Sequence, residues 1–313
     1  MKSKQVSEKL GPAFNRLFSA SVISNLSDGL LAVAAPLLAI SLTKDPVLIS
    51  MLSAFVMLPW LLFAIPIGLI VDRSNKRLLI TLTNSIRFIT AGLVALAIST
   101  DTITIYWLLL ATFLIGTCEV ATDTAAQSLI PVILEKKNFE KANSRMNIAE
   151  TVIQNFIGAP LSGFLYATAI VLPFILNSLG FLIAAIFVFM IPAHLISQGS
   201  SVETTVLEKK SFISEIKFGL NYLWNDRPLR RLVATTTSLG LFYSLSTSTL
   251  ILFITEILEV QAKYFGVLMA GAGSGGVLGG VLTPVLSKKF GRGAVLAVAI
   301  FISSITVLFQ GLS

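Results

Sequence analysis

The stretch GLIVDRSNKRLLI, residues 68–80, sets one acid and three bases between two long apolar runs. Such a charged knot reads either as a solvated turn on a soluble protein or as a short loop at one face of a bilayer. Composition decides between them. The 313 residues are 55% apolar and only 12% charged, with a mean hydropathy of +0.86, whereas soluble domains carry about 25% charged residues. So few charges cannot cover a soluble surface of this size. Apolar runs of roughly 20 residues cross a bilayer as helices, and the chain contains several.

The hydropathy pattern predicts nine spans, at about 14–42, 46–71, 78–100, 103–131, 148–167, 169–192, 231–257, 264–287 and 294–313. The first is too long for a cleavable signal and reads as a retained span. Of the 23 Lys and Arg, all but Lys44, Arg87 and Lys263 precede or begin the first span, or lie on alternate loops and their edges. Positive residues favour the cytoplasmic side, which puts the amino terminus and the quoted loop in the cytoplasm of a multi-pass protein of the cell membrane. The basic balance therefore reflects topology and the lipid bilayer, with no nucleic-acid partner. Cys118 is the single cysteine, so no disulfide forms within the chain.

Spacing divides the chain into a six-helix transmembrane part over 1–192, a cytoplasmic linker over 193–230, and a second transmembrane part over 231–313. In the linker, Phe212, Ile216, Leu220 and Leu223 recur at helical intervals with charges elsewhere, predicting an amphipathic helix against the inner ends of the spans. KKFGR at 288–292 follows the eighth span much as DRSNKR at 72–77 follows the second, a weak internal repeat.

The quoted loop resembles the signature loop of the major facilitator superfamily, with Gly68, Asp72, Arg73, Lys76 and Arg77 at the matching positions. Asn75 stands where that family usually has Gly, and the resemblance implies a left-handed turn there, which Asn tolerates. GAPLSG at 158–163, with Gly158, Pro160 and Gly163, is similar to a degenerate Gly-Pro motif of the antiporter branch. SLIPVILEKKNFEKANS resembles the drug-export group that includes macrolide and siderophore exporters. The implied fold is an all-α membrane protein, a helical bundle with a complete six-helix first half. The second half would have about three helices, so the chain reads as truncated after its ninth span. The family's signature Asp is thought to latch a gate against a late helix of the second half; a truncated chain would deprive Asp72 of that partner.

Ionisable groups at membrane depth are costly and usually functional. Asp28 lies midway along the first span with Asn25 on the same face. Glu119, Asp123 and Gln127 recur every four residues on the fourth span, and Glu150 and Gln154 lie near the inner end of the fifth. Arg87 lies in the third span at the depth of Asp123, roughly 15 Å in at about 1.5 Å per residue. This makes Arg87 the charge partner of Asp123 or Glu119. One cation cannot neutralise Asp28, Glu119 and Asp123 together. A carboxyl left in low dielectric favours its protonated form, so these three are the candidates for coupling proton movement to transport. Asn25, Gln127, Glu150 and Gln154 are candidate cavity residues.

No nucleophile–base set and no metal-spaced cluster is evident, so neither an enzyme nor a cofactor or metal is expected. His194 is an interfacial residue. Gly271, Gly275 and Gly279 form a small-residue stripe for close helix packing. Phe55, Met57, Trp60 and Phe156 suggest an apolar cavity wall suited to bulky amphipathic compounds. The leading expectation is a secondary active transporter that exports drugs or amphipathic small molecules in exchange for protons. A siderophore or lysolipid transporter of the same fold, and a truncated non-transporting membrane protein, are the alternatives.

Overall fold

The computed structural model describes residues 10–192, 221–248 and 289–312, together with Gly219, Gly271, Leu282 and Leu286. The linker stretch 193–218 with Phe212 and Ile216, Leu220, His194, Gly275, Gly279 and most of the eighth span lie outside the described residues.

Short polar caps start the helices. The Asp45 side chain accepts from Val47 N at 2.9 Å ahead of Pro46, and Thr104 accepts from Trp107 N at 3.4 Å. Four long helices result: α1 Gly11–Leu42, α2 Pro46–Arg73, α3 Lys76–Ser99 and α4 Ile105–Ile133. A 3₁₀ turn at Lys136–Asn138 leads into α5, Phe139–Ile148. The chain then stays right-handed through a π-helical segment, Ala149–Gly158, into α6, Ala159–Thr168. After α7, Leu172–Phe189, come α8, Arg227–Ser248, and α9, Arg292–Leu312. Among the described residues, five helices (α1 to α4 and α7) are long and apolar enough to cross a membrane.

The fifth span differs from its predicted limits, because helix begins at Phe139 rather than near residue 148. Lys141 and Arg145, expected on a loop, therefore ride on a polar helical extension. The π-helical register also has a local cause. Pro160 has no N–H and its ring would clash with the carbonyl four residues earlier. The wider turn, in which Ala159 N reaches Gln154 O, accommodates it.

The quoted loop contracts to two residues between α2 and α3. Asn75 is the N-cap of α3, with φ −70° and its side chain accepting from Leu78 N at 3.2 Å. The expected left-handed conformation is not adopted; the capping bond supplies the turn instead. Asn75→Ala should therefore cost about 1 kcal/mol, and Asn75→Gly only a few tenths, measured as shifts in the thermal unfolding of the purified protein.

In the helix packing, α1 lies against α7, the π-helical segment and α6, while α3 contacts α4 and α7 and α2 contacts α4. Two apolar clusters close the ends. Phe14, Leu17, Leu129, Ile130 and Val188 pack at the end carrying the α2–α3 loop, and Leu38, Leu52, Val94, Leu108 and Phe174 pack at the opposite end. Lipid is as apolar as these side chains, so helix association rests on close packing and interhelical hydrogen bonds. The bonds are present. Asn177 Nδ2 donates to Ser27 O at 2.6 Å, Ser178 Oγ to Phe88 O at 2.8 Å, and the hydroxyls of Thr83 and Thr122 meet at 2.7 Å.

Close approach is written in the glycines. A Cβ on Gly158 would stand 2.9 Å from Gly29 Cα and 3.0 Å from Leu26 O. One on Gly29 would overlap Gln154 O. Gly158 thus takes part in a backbone-on-backbone crossing of α1 with the fifth span, and Ser162 Oγ donates to Leu30 O one turn further on.

Candidate functional site

Four helices turn polar stripes toward one interior space. From α1 come Ser21, Ser24 and Asn25; from α3, Asn84; from α4, Glu119, Thr122, Asp123 and Gln127; from the fifth span, Asn143, Asn147, Glu150 and Gln154. Steps of three and four residues put each set on one helix face. Together they line a cavity of about 580 Å³, whose remaining wall includes Leu17, Trp60, Ile130 and Val188. The cavity lies in the half of the bundle that carries the α2–α3 loop. The apolar cluster around Leu38 and Phe174 fills the other half.

The wall is more polar than expected. Of the aromatic and apolar residues proposed to line it, Trp60 does so. Phe55 instead packs edge-on against Phe113 at 5.9 Å, near the far apolar cluster. Met57 lies on the exposed face of α2, and Phe156 is absent from the lining. Hydropathy marks these residues as membrane-embedded but carries no information on helix rotation.

Behind the cavity sits a charged knot. Arg87 is fully buried. Its Nη2 donates to Asp28 Oδ1 and its Nη1 to Ser24 Oγ at 3.0 Å. The guanidinium plane lies over the Phe181 ring, 3.9 Å from the centroid, and Glu119 Oε2 is 4.0 Å from Nη2. Of the two expected partners, Glu119 is met at the limit of ion-pair contact and Asp123 is not paired; the direct partner is Asp28 on α1. Position along a helix does not choose the partner; rotation about the helix axis decides which neighbour a side chain meets. The long Arg side chain crosses the face of α7 to reach α1.

The charge balance follows directly. Arg87 offsets Asp28, while Glu119, Asp123 and Glu150 line the cavity with no Lys, Arg or His among the described lining residues. Among the described residues, no group of His, Cys, Asp and Glu is arranged to hold a metal ion.

The signature-loop residues sit at the rim. Gly68 lies on α2, where a Cβ would meet nothing within 4 Å. Asp72 and Arg73 are exposed at the end of α2, and Lys76 opens α3. Among the described residues no bond to Asp72 is present. Arg77 ties α3 to α7, since its Nη2 donates to Phe189 O at 2.6 Å and its guanidinium lies 4.8 Å from the Phe189 ring centroid. Arg16 donates to the neighbouring Met190 O. Two cations thus cover the negative carboxyl end of α7. In the Gly-Pro motif, Gly158 forms the α1 crossing, Pro160 follows the π-helical turn and Gly163 is buried on α6.

Sequence reading missed Asn84, Asn143, Asn147 and the Phe181 platform. Asn84 was detectable, since it lies three residues before Arg87 on the same helix face.

Among curated protein sequences none matches this chain. A solved structure with similar architecture is the crystal structure of a bacterial homolog of the human lysosomal transporter Spinster, in an inward-facing and unoccupied conformation. It shares 16% sequence identity at a TM-score of 0.64, over 89% of this chain. This chain spans 62% of the length of that one. The sequence profile of the Major Facilitator Superfamily matches residues 17–312, and with the helical bundle and its polar cavity this places the chain in that family of membrane transporters.

Proposed function

We propose that this chain forms part of a proton-coupled exporter of amphipathic small molecules in the cell membrane, with its amino terminus in the cytoplasm. The observation that carries the reading is the imbalance of charge at membrane depth: Glu119 and Asp123 face the cavity, while Arg87 is engaged by Asp28. Intramembrane carboxyls without a committed cation serve as proton carriers in transporters. A cation-bearing substrate and a proton can occupy the same carboxylates in turn, so that loading one expels the other. Asp28 then acts through Arg87, holding α1 and α3 in one arrangement while the pair is intact. The resemblance of GAPLSG to the antiporter motif supports exchange rather than co-transport.

The test uses the purified protein in vesicles carrying an imposed pH gradient. Asp123→Asn should abolish gradient-driven substrate movement, a fall on the order of tenfold or more, since its amide cannot carry the proton. Exchange of labelled for unlabelled substrate at equal pH should persist. Gradient-driven movement at the level of the native protein would remove Asp123 from the coupling. Neither movement nor exchange by the native chain, over a panel of amphipathic compounds, would remove the transporter reading.

A further inference from the structure

Two amide donors in the cavity wall are already engaged by their own helices. Asn25 Nδ2 donates to Ser21 O at 2.8 Å and to Ser21 Oγ at 3.1 Å. Asn84 Nδ2 donates to Ile80 O at 2.9 Å. These contacts fix the amide orientations, because only the NH₂ end of a carboxamide can face a backbone carbonyl. For Asn84 the oxygen end is then left over. Asn84 is 1% exposed, its Oδ1 has no hydrogen-bond partner among the described residues, and it belongs to the cavity wall. A buried acceptor without a donor costs about 1–3 kcal/mol, which an arriving donor would recover.

The surroundings specify the donor's charge. Glu119, Asp123 and Glu150 share the wall, and among the described residues no basic one does. An anion would meet three carboxylates there, and a neutral compound would leave them unmatched. Leu17, Trp60 and Val188 supply an apolar flank for the rest of the molecule. The volume, about 580 Å³, falls within the usual range of roughly 300–1,000 Å³ for small-ligand pockets.

We infer that the cavity takes an amphipathic organic cation through a primary ammonium group, whose N–H donors are met by Asn84 Oδ1 and the neighbouring carboxylates. This deepens the exporter reading and rests on it. The inference separates two kinds of cation that charge alone would not. A quaternary ammonium satisfies the carboxylates electrostatically but has no N–H for Asn84. A primary ammonium satisfies both.

The experiment is calorimetric titration of the purified full chain with 2-(1-naphthyl)ethylamine and with its N,N,N-trimethyl analogue, at neutral pH where both carry one positive charge. The primary amine should bind about tenfold tighter, the value of one hydrogen bond to a charged donor. Asn84→Leu, which keeps the volume and removes the acceptor, should cut that advantage to about threefold or less, leaving the trimethyl analogue's affinity unchanged. Asn84→Asp should increase it. Equal affinities in the native protein, an advantage that survives Asn84→Leu, or no binding of either compound would each overturn the inference. Transport is read separately in vesicles. Gradient-driven movement of hydrophobic cations without amine preference defeats this inference alone. Amine-selective binding without any movement defeats the exporter reading instead.

Discussion

Arg87→Met should destabilise the bundle by about 3–5 kcal/mol, the cost of leaving one member of a buried ion pair without its partner. Asp28 would lose its direct partner, with a side chain only 11% exposed. Ser24 would lose a donor, and the Phe181 ring would lose the cation on its face. The double change Arg87→Met with Asp28→Asn should recover most of the loss, because the uncompensated charge is gone. Asp28→Asn alone should cost less than Arg87→Met, since Glu119 is already 4.0 Å from Arg87 and can take up the freed cation. Cys118 is a buried free thiol, so its labelling by a maleimide on heating reports the unfolding of each variant. If Arg87→Met melts at the native temperature, or the double variant is no better than the single, the knot is not what holds α1 to α3.

Gly29→Leu should be comparably damaging, by a different mechanism. The first side-chain carbon already overlaps Gln154 O and comes within 2.9 Å of Gly158 Cα. Both obstacles are backbone, which cannot rotate aside as a side chain can. α1 and the fifth span must then separate, which weakens the Ser162 to Leu30 bond and opens the wall that carries Gln154. Overpacking of this kind costs about 1–3 kcal/mol, occasionally more. Gly29→Ala already places that carbon and should itself be destabilising, while Gly158→Ala should be milder, since its nearest obstacle would stand at 2.9 Å rather than 2.3 Å. Folded yield in detergent, measured by size-exclusion profile, distinguishes the outcomes: full native yield for Gly29→Leu would show that the crossing is looser than its geometry implies. Gly68→Ala is the control, since a Cβ there meets nothing within 4 Å.

The limits of reading from the sequence lie in rotation and register. Helix existence and length were legible because the bilayer sets a long apolar period: α1 to α4 and α7 lie close to the expected spans. The start of the fifth span was not legible, because FEKANSRM is too polar to count as a span yet is helical. The turn at Asn75 was misread because two mechanisms, a left-handed residue and an N-cap, favour the same side chain. The bond to Leu78 N settles it. For the site, the four-residue rhythm of Glu119, Asp123 and Gln127 marked a polar stripe on α4, and the same residues line the cavity. The apolar wall expected from Phe55, Met57 and Phe156 failed for the converse reason: almost every face of a membrane helix is apolar, so apolar residues carry little information about direction.

What the amino-acid order determined alone was the class: a helical membrane protein with ionisable groups held at depth, legible because water and lipid impose opposite demands over lengths of roughly 20 residues. What the tertiary structure alone decided was the pairing of those groups. Arg87 meets Asp28 and not Asp123, and Asn84, a residue of the cavity wall, keeps a buried oxygen without a partner among the described residues. Such choices depend on the rotation of each helix about its axis and on closest approach at Gly29 and Gly158. Hydropathy is blind to both, since they are set by atoms from segments far apart in the chain.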